Sequence, residues 1–417
     1  MLVQYSVENY KSIKNEIILN FRVDKKYEGD RWAIREEGVP PLYKCLGLIG
    51  PNASGKTNIM RSFLFALKFI VNTIERKESA KIKIERFQLD ESCMEEPASF
   101  EFIFYQNKIK YVYGFSMNED EVVEEYLLGY FSAKPKTLFE RLEGQHYEFR
   151  GNDVKLQKQI AEKTNSNRLY MPVAAEWGYE PLKTVYDWFR FVSRQYEKFD
   201  ISGMVEQIVQ KKERKELLLS ELQKADFNIV DIYVKKRRMN DRTHDLLQKI
   251  FSEFAGEMRE VDIPDVRADV RIVHENRKGE RLDIELDEDS AGTSVIVQNL
   301  VELLSLSEKG GLMLEDELGK VYHTRLTQHF LEILRSDTVN CGNAQLLFTS
   351  HDTKILNMLN PDQIYLVDKE EDGATCVKLL DDFAIRENEN IELGYLKGRY
   401  GSVPSYERIS MRKRMDL

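Results

Sequence analysis

The octet GPNASGKT, Gly50 to Thr57, constrains this chain more than any other stretch. It satisfies G-x-x-x-x-G-K-[ST], and its surroundings are the ones such a loop needs. Upstream, KCLGLI is a short apolar run suited to a buried strand. Downstream, Ile59, Phe63, Leu67, Ile70 and Ile74 recur at helical spacing. Strand, glycine loop and helix in that order form a phosphate-binding loop. Gly50 and Gly55 let backbone N–H groups turn toward phosphate oxygens, and the helix adds the positive end of its dipole. The candidate nucleotide contacts are Asn52, Ala53, Ser54, Gly55, Lys56, Thr57 and Asn58. Lys56 is suited to the β- and γ-phosphates, and Thr57 to a Mg²⁺ ion. The octet points to a nucleotide, but kinases, GTPases, motors and ABC-type switches all carry it.

The order of elements narrows the choice. Val3, Tyr5 and Val7 alternate, and so do Ile17, Leu19 and Phe21, predicting two neighbouring strands. ASFEFIFYQNKIKYVYGFSM reads as a hairpin turning at YQNK, and strand patterning continues to about residue 150. From about 155 to 260 the pattern is helical and charged, as in EPLKTVYDWFRFVSRQYEKF and KERKELLLSELQKADFNI. No heptad pattern is sustained, which argues against a long coiled coil. From about 262, strand runs and helical runs alternate: GLMLEDE, TRLTQHFLEILRS, AQLLFTS, TKILNML and QIYLVDK. Short connections between them predict a mainly parallel sheet. The expectation is an α/β fold whose central sheet is built from both ends of the chain. Residues 1–150 carry the loop and an antiparallel β subdomain, 151–260 a mainly helical insertion, and 261–417 the rest of the sheet.

Three further stretches carry chemistry. GLMLEDELG ends an apolar strand in acidic residues, at the edge where ligands bind in open α/β sheets. Asp316 is the candidate Mg²⁺ partner and Glu317 the candidate general base for an attacking water. LLFTSHDTKIL ends the next strand at His351, within reach of a γ-phosphate or that water. DEDSAGTSVIVQN places Ser290 and Gly292 where an apolar helix starts. Such a turn is either an anion site or a plain helix start with Ser290 as its cap.

Composition sets outer limits. A chain of 417 residues with 42% hydrophobic and 32% charged residues is that of a folded protein. Its formal net charge of −10 gives the whole molecule no pull toward nucleic acid or an anionic membrane. Cys45, Cys93, Cys341 and Cys376 include no C-x-x-C pair, so neither a disulfide framework nor a thiolate zinc site is expected. The N-terminus lacks a signal-peptide pattern, and no run approaches the ~18 apolar residues of a membrane span, so a cytoplasmic location is expected.

The four nucleotide motifs, in the order Walker A, signature, Walker B and His switch, resemble the ABC-ATPase branch of SMC and RecF-type proteins. Within it the chain is similar to the small ATPases of phage defence, the OLD-type and RloA/abortive-infection group. VENYKSIKN, FQLDESCMEEPASFEFIF, LQKADFNIVDI and YLKGRYGSVP carry that likeness across nearly the whole chain. The resemblance implies an ABC-ATPase head that binds ATP and Mg²⁺ and hydrolyses ATP. It implies nucleotide contacts from Lys11 and Ser12, and Gln88 as the metal-linked glutamine. It implies a homodimer or higher homo-oligomer that sandwiches ATP, with Ser290 and Gly292 serving the partner's site. One departure stands out: Gly319 occupies the position of the family's D-loop aspartate, which implies slow hydrolysis, whereas His323 is kept.

Two functions follow from the resemblance. One is a defence ATPase that senses a phage component and controls an effector, a nuclease or toxin encoded nearby. The other is a RecF- or SMC-like DNA-maintenance ATPase. For the second, the basic runs KKERK (211–215), KKRR (235–238) and RKR (412–414) are the only surface on offer, and such runs are usually solvated helix faces. An appended Toprim nuclease, as in OLD-type proteins, is not expected in the residues after 370.

Overall fold

The computed structural model describes residues 1–150, 153–197, 201–224, 228–238, 266–386 and 389–402. The chain divides into two compact units. The first comprises Met1–Tyr196, Gly310–Lys320 and Gln345–Leu417; the second comprises Glu197–Lys309 and Val321–Ala344.

The first ten strands lie in the first unit. They are β1 (Leu2–Glu8), β2 (Ile17–Asn20), β3 (Ala33–Ile34), β4 (Leu42–Tyr43), β5 (Cys45–Ile49), β6 (Ala98–Gln106), β7 (Ile109–Met117), β8 (Val122–Tyr130), β9 (Lys136–Leu142) and β10 (His146–Phe149). The second unit holds β11 (Ile229–Arg238), β12 (Val266–Glu275) and β13 (Arg281–Glu285). The chain then returns to the first unit for β14 (Leu312–Glu315), β15 (Gln345–Ser350), β16 (Ile364–Lys369) and β17 (Thr375–Leu379).

Two large sheets make the first unit. An antiparallel sheet has the order β10-β9-β8-β7-β6-β1-β2. Its strands alternate, as half-buried strands do: Ala98, Phe100, Phe102 and Phe104 of β6 are buried, and the residues between them are not. The inner face packs on the helix Lys56–Asn72, where Phe63 meets Tyr5 and Phe102 with ring centroids 4.9 and 5.3 Å apart. Each such aromatic contributes about 1.5–3 kcal/mol by leaving water.

The second sheet has the order β14-β15-β5-β16-β17, with β14, β15, β5 and β16 parallel and β17 antiparallel. Every residue of β5 and β15 is buried, as in strands covered on both faces. The expected sheet from both ends of the chain is therefore present. Gln345 ties the two sheets: its Nε2 donates to the Leu2 carbonyl at 2.9 Å and its Oε1 accepts from the Leu2 N–H at 2.7 Å.

The second unit contains the antiparallel sheet β11-β12-β13 and the helices Ile201–Val209, Lys212–Lys224, Ala291–Lys309 and Thr324–Arg335. Among the described residues no helix is long and apolar enough to cross a membrane.

Two elements differ from the sequence reading. Ile229–Arg238, inside the segment expected to be mainly helical, is a strand. It pairs with β12 from Ile229↔His274 to Arg238↔Val266 and buries Ile229 and Ile232. Its partner begins 28 residues further on, and strand formation depends on such a partner more than on intrinsic preference. TKILNML forms only a 3₁₀ turn, Thr353–Asn357, capped by Asp352, whose Oδ1 accepts from the Lys354 N–H at 3.1 Å.

Candidate functional site

Four parallel strands end on one edge of the second sheet, and each delivers a polar segment there. β5 leads into the glycine loop, β14 into Asp316-Glu317, β15 into His351, and β16 ends at Lys369. Carboxyl ends of parallel strands are where open α/β sheets place their ligands.

Backbone crowding shapes the loop. At Gly50 a Cβ would sit 2.1 Å from the Val367 carbonyl oxygen. Gly55 has φ 111°, and a Cβ there would sit 2.0 Å from Thr375 Oγ1. Thr375 Oγ1 donates to the Ser54 carbonyl at 3.1 Å and lies 2.7 Å from Ser12 Oγ, which accepts from Asn58 Nδ2 at 2.8 Å. Ser12 and Thr375 thus brace the loop from outside it. Lys56 is buried, and its ammonium donates to the Gly50 and Pro51 carbonyls at 2.8 and 2.7 Å. Burial lowers its pKa, opposed by the charges of Asp316 and Glu317.

Thr349, fully buried on β15, organises the acidic pair. Its hydroxyl donates to Asp316 Oδ1 at 2.7 Å and accepts from the Glu317 N–H at 2.7 Å. Glu317 has φ 63°, in the left-handed region, so this backbone bond holds an unusual turn. Thr57 Oγ1 lies 3.4 Å from the same Asp316 oxygen. The Glu317 carboxylate accepts from Lys320 Nζ and sits 4.0 Å from His351 Nε2. The Lys320 bond holds Glu317 below the usual carboxylate range and raises Lys320 in turn. Burial and the Lys56 charge lower the His351 pKa, so its imidazole is neutral at pH 7.

An open pocket of about 390 Å³ joins these groups, lined by Asn52 to Asn58 and by Ser12, Glu317, His351 and Lys369. Lys11 and Gln88 line an adjoining pocket that shares Ser12, Asn58 and Lys369 with the first. Lys11 pairs there with Glu85 at 2.8 Å. Ser290 and Gly292 belong to the second unit. Ser290 Oγ accepts from the Thr293 N–H at 3.1 Å, so it caps the helix Ala291–Lys309. His323 caps the helix Thr324–Arg335, its Nδ1 accepting from the Arg325 N–H at 3.1 Å.

The sequence reading passed over Thr375, Lys369 and Lys320. Thr375 lies 320 positions after Gly55 in a strand with no motif, and only the tertiary fold brings it to the loop. The basic runs are largely neutralised within the second unit. Lys215 pairs with Asp231 at 2.6 Å, Lys236 with Glu206 at 2.7 Å and Arg237 with Glu285 at 3.3 Å. Residues 412–414 lie outside the described residues, as do parts of LQKADFNIVDI and YLKGRYGSVP.

The residues present fit a magnesium nucleotide. Ser54 Oγ is a buried loop hydroxyl without a hydrogen-bond partner, suited to a phosphate oxygen. Thr57 and Asp316 offer hard oxygen donors side by side, a sparse set of the kind Mg²⁺ takes alongside phosphates and water. They would hold the ion, and Lys56 would meet the phosphate charge.

A family model described as "AAA domain, putative AbiEii toxin, Type IV TA system" matches residues 45–357. The match runs from the first residue of β5 through β15 and the turn after it. No curated protein matches the sequence. Among solved structures the chain is similar to the SMC head domain from Thermotoga maritima, at 13% identity and a TM-score of 0.38, covering 91% of this chain and 98% of that one. It is also similar to an SMC head bound to the C-terminal winged-helix domain of ScpA, at 12% identity and a TM-score of 0.37, covering 90% and 96%.

Proposed function

The chain belongs to that AAA-domain family, and from this premise we propose that it is an ATP-hydrolysing switch that closes as a homodimer around ATP and regulates a partner effector in phage defence. The observation that carries the reading is the convergence of Lys56, Thr57, Asp316, Glu317 and His351 on one pocket edge. In this reading Ser290 and Gly292 of a second copy complete each site, and ATP acts as the adhesive of the dimer.

Phosphoryl transfer to water needs positioning and charge neutralisation more than covalent help. Lys56 offsets the charge of the β- and γ-phosphates. Mg²⁺, when bound, neutralises phosphate charge beside Thr57 and Asp316. Glu317 accepts the proton of the attacking water, and the neutral imidazole of His351 orients that water or the γ-phosphate. Gly319, in place of an acidic D-loop residue, weakens coupling between the two sites and slows turnover. The paired state of Lys215, Lys236 and Arg237 favours the effector reading over a DNA-binding one.

Size-exclusion chromatography of the Glu317→Gln variant with ATP and Mg²⁺ tests the clamp. An ATP-dependent dimer is expected, and a variant that stays monomeric under saturating ATP refutes it. Phage challenge of cells carrying the chain with its neighbouring genes tests the defence role. Protection that survives Glu317→Gln and Lys56→Ala unchanged would separate defence from the ATPase cycle.

A further inference from the structure

The outer face of the seven-stranded sheet carries a pocket that the nucleotide chemistry does not use. Strand register builds it in two rows. Glu8, Ser99, Ser116 and Glu124 stand opposite one another across β1, β6, β7 and β8. Ser6, Glu101, Gly114 and Tyr126 form the next row. Glu16, just before β2, lines the same pocket of about 170 Å³.

Three features set this face apart from an ordinary solvated one. Glu8, Glu16, Glu101 and Glu124 share no ion pair with a basic residue among the described residues, and burial together with the charges of Glu16 and Glu96 raises the Glu8 pKa. Ser116 lies in the row between Ser99 and Glu124, is only 4% exposed, and its Oγ is buried without a hydrogen-bond partner. Tyr126 lies across the bare backbone of Gly114, where a Cβ would fall 2.3 Å from its ring carbon, and its hydroxyl donates to Glu101 at 2.5 Å. The like charges of Glu8 and Glu16 and a lone buried hydroxyl both work against folding, so the sheet retains an arrangement that its own stability disfavours.

We propose that this pocket binds the guanidinium group of an arginine presented by a partner protein. The pocket supplies acceptors spread along two rows and an aromatic ring. A guanidinium is planar, carries five N–H donors and no acceptor, and stacks on aromatic faces. A compact metal ion fits less well, since among the described residues no group of three or more His, Cys, Asp and Glu is placed to hold one. The site does not rest on the nucleotide reading and stands or falls separately from it.

The test uses the full chain and a fluorescein-labelled GGRGG peptide followed by anisotropy, with GGKGG, spermidine and MgCl₂ as competitors. Saturable binding of the arginine peptide is expected, weakened roughly tenfold or more by Glu101→Gln and by Glu124→Gln, and unchanged by the outlying Glu28→Gln. Thermal melts accompany each variant. Glu8→Gln is expected to raise the Tm without peptide, because it relieves repulsion, while it weakens the peptide. Equal displacement by the lysine peptide, spermidine or Mg²⁺ overturns the proposal, as does binding that Glu101→Gln and Glu124→Gln leave unchanged. A fall in Tm for Glu8→Gln would make the carboxylate row structural and overturn it as well.

Discussion

The Thr349 hydroxyl donates to Asp316 at 2.7 Å across two neighbouring parallel strands, and the same oxygen accepts from the backbone of Glu317. One buried side chain therefore aims both acidic residues. Thr349→Val keeps the shape and removes both bonds. The expected result is at least a tenfold loss of Mg²⁺-dependent ATP affinity, from the loss of one charge-assisted hydrogen bond and the loosened turn. Thr349→Ser should restore it. Nucleotide titration with and without Mg²⁺ reads the difference, and equal affinities for the Val and Ser variants would remove Thr349 from this role.

The two loop glycines should fail differently. At Gly50 a Cβ meets a backbone carbonyl, whereas at Gly55 it meets a threonine side chain. Each alanine variant is expected to cost about 1–3 kcal/mol of stability, at Gly50 from the clash alone and at Gly55 from the clash together with its left-handed backbone. Thr375→Ala should rescue part of the Gly55→Ala loss and none of the Gly50→Ala loss. Denaturant unfolding of the two double variants decides this, and equal rescue in both would contradict the placement of Thr375.

Lys320 holds the Glu317 carboxylate and weakens it as a base. Lys320→Ala is expected to raise ATP turnover, by less than the roughly 10²–10⁴-fold that a positioned general base contributes in full. A steady-state kcat that stays the same or falls would show instead that Lys320 supports the reaction.

Asp362 predicts a pH dependence of stability. It is buried, its two carboxyl oxygens lie 2.6 and 2.7 Å from the Tyr43 hydroxyl, which donates its one proton to them, and burial pushes its pKa from 3.8 up to about 6. A raised folded-state pKa means that the native state holds its proton more tightly than the unfolded chain. The contribution is fully present below pH 3.8 and lost as pH rises through about 6. Asp362→Asn should flatten the stability profile over that window. Melts at pH 4, 5, 6 and 7 check it, and identical slopes for the two proteins would refute it.

The nucleotide loop was legible because all its signals are local: an apolar strand, glycines at fixed spacing and a helical period lie within thirty residues. Asp316, Glu317 and His351 were legible for a related reason, as each follows a short apolar run. Thr349 was visible only as one polar residue at the end of such a run, and nothing local marked it as the group that orients the acidic pair. β11 was misread because its charged sequence becomes a strand only beside β12.

Taken alone, the sequence determined most of the local elements and the strand–loop–helix of the phosphate loop, since these depend on residue types a few positions apart. The tertiary structure decided which distant strands share an edge, and with that the bracing of Gly55 by Thr375, the tie from Gln345 to Leu2 and the two pocket rows across β1, β6, β7 and β8. Those relations depend on strand order and register. Both are set by long-range burial and pairing, which no short window of sequence contains.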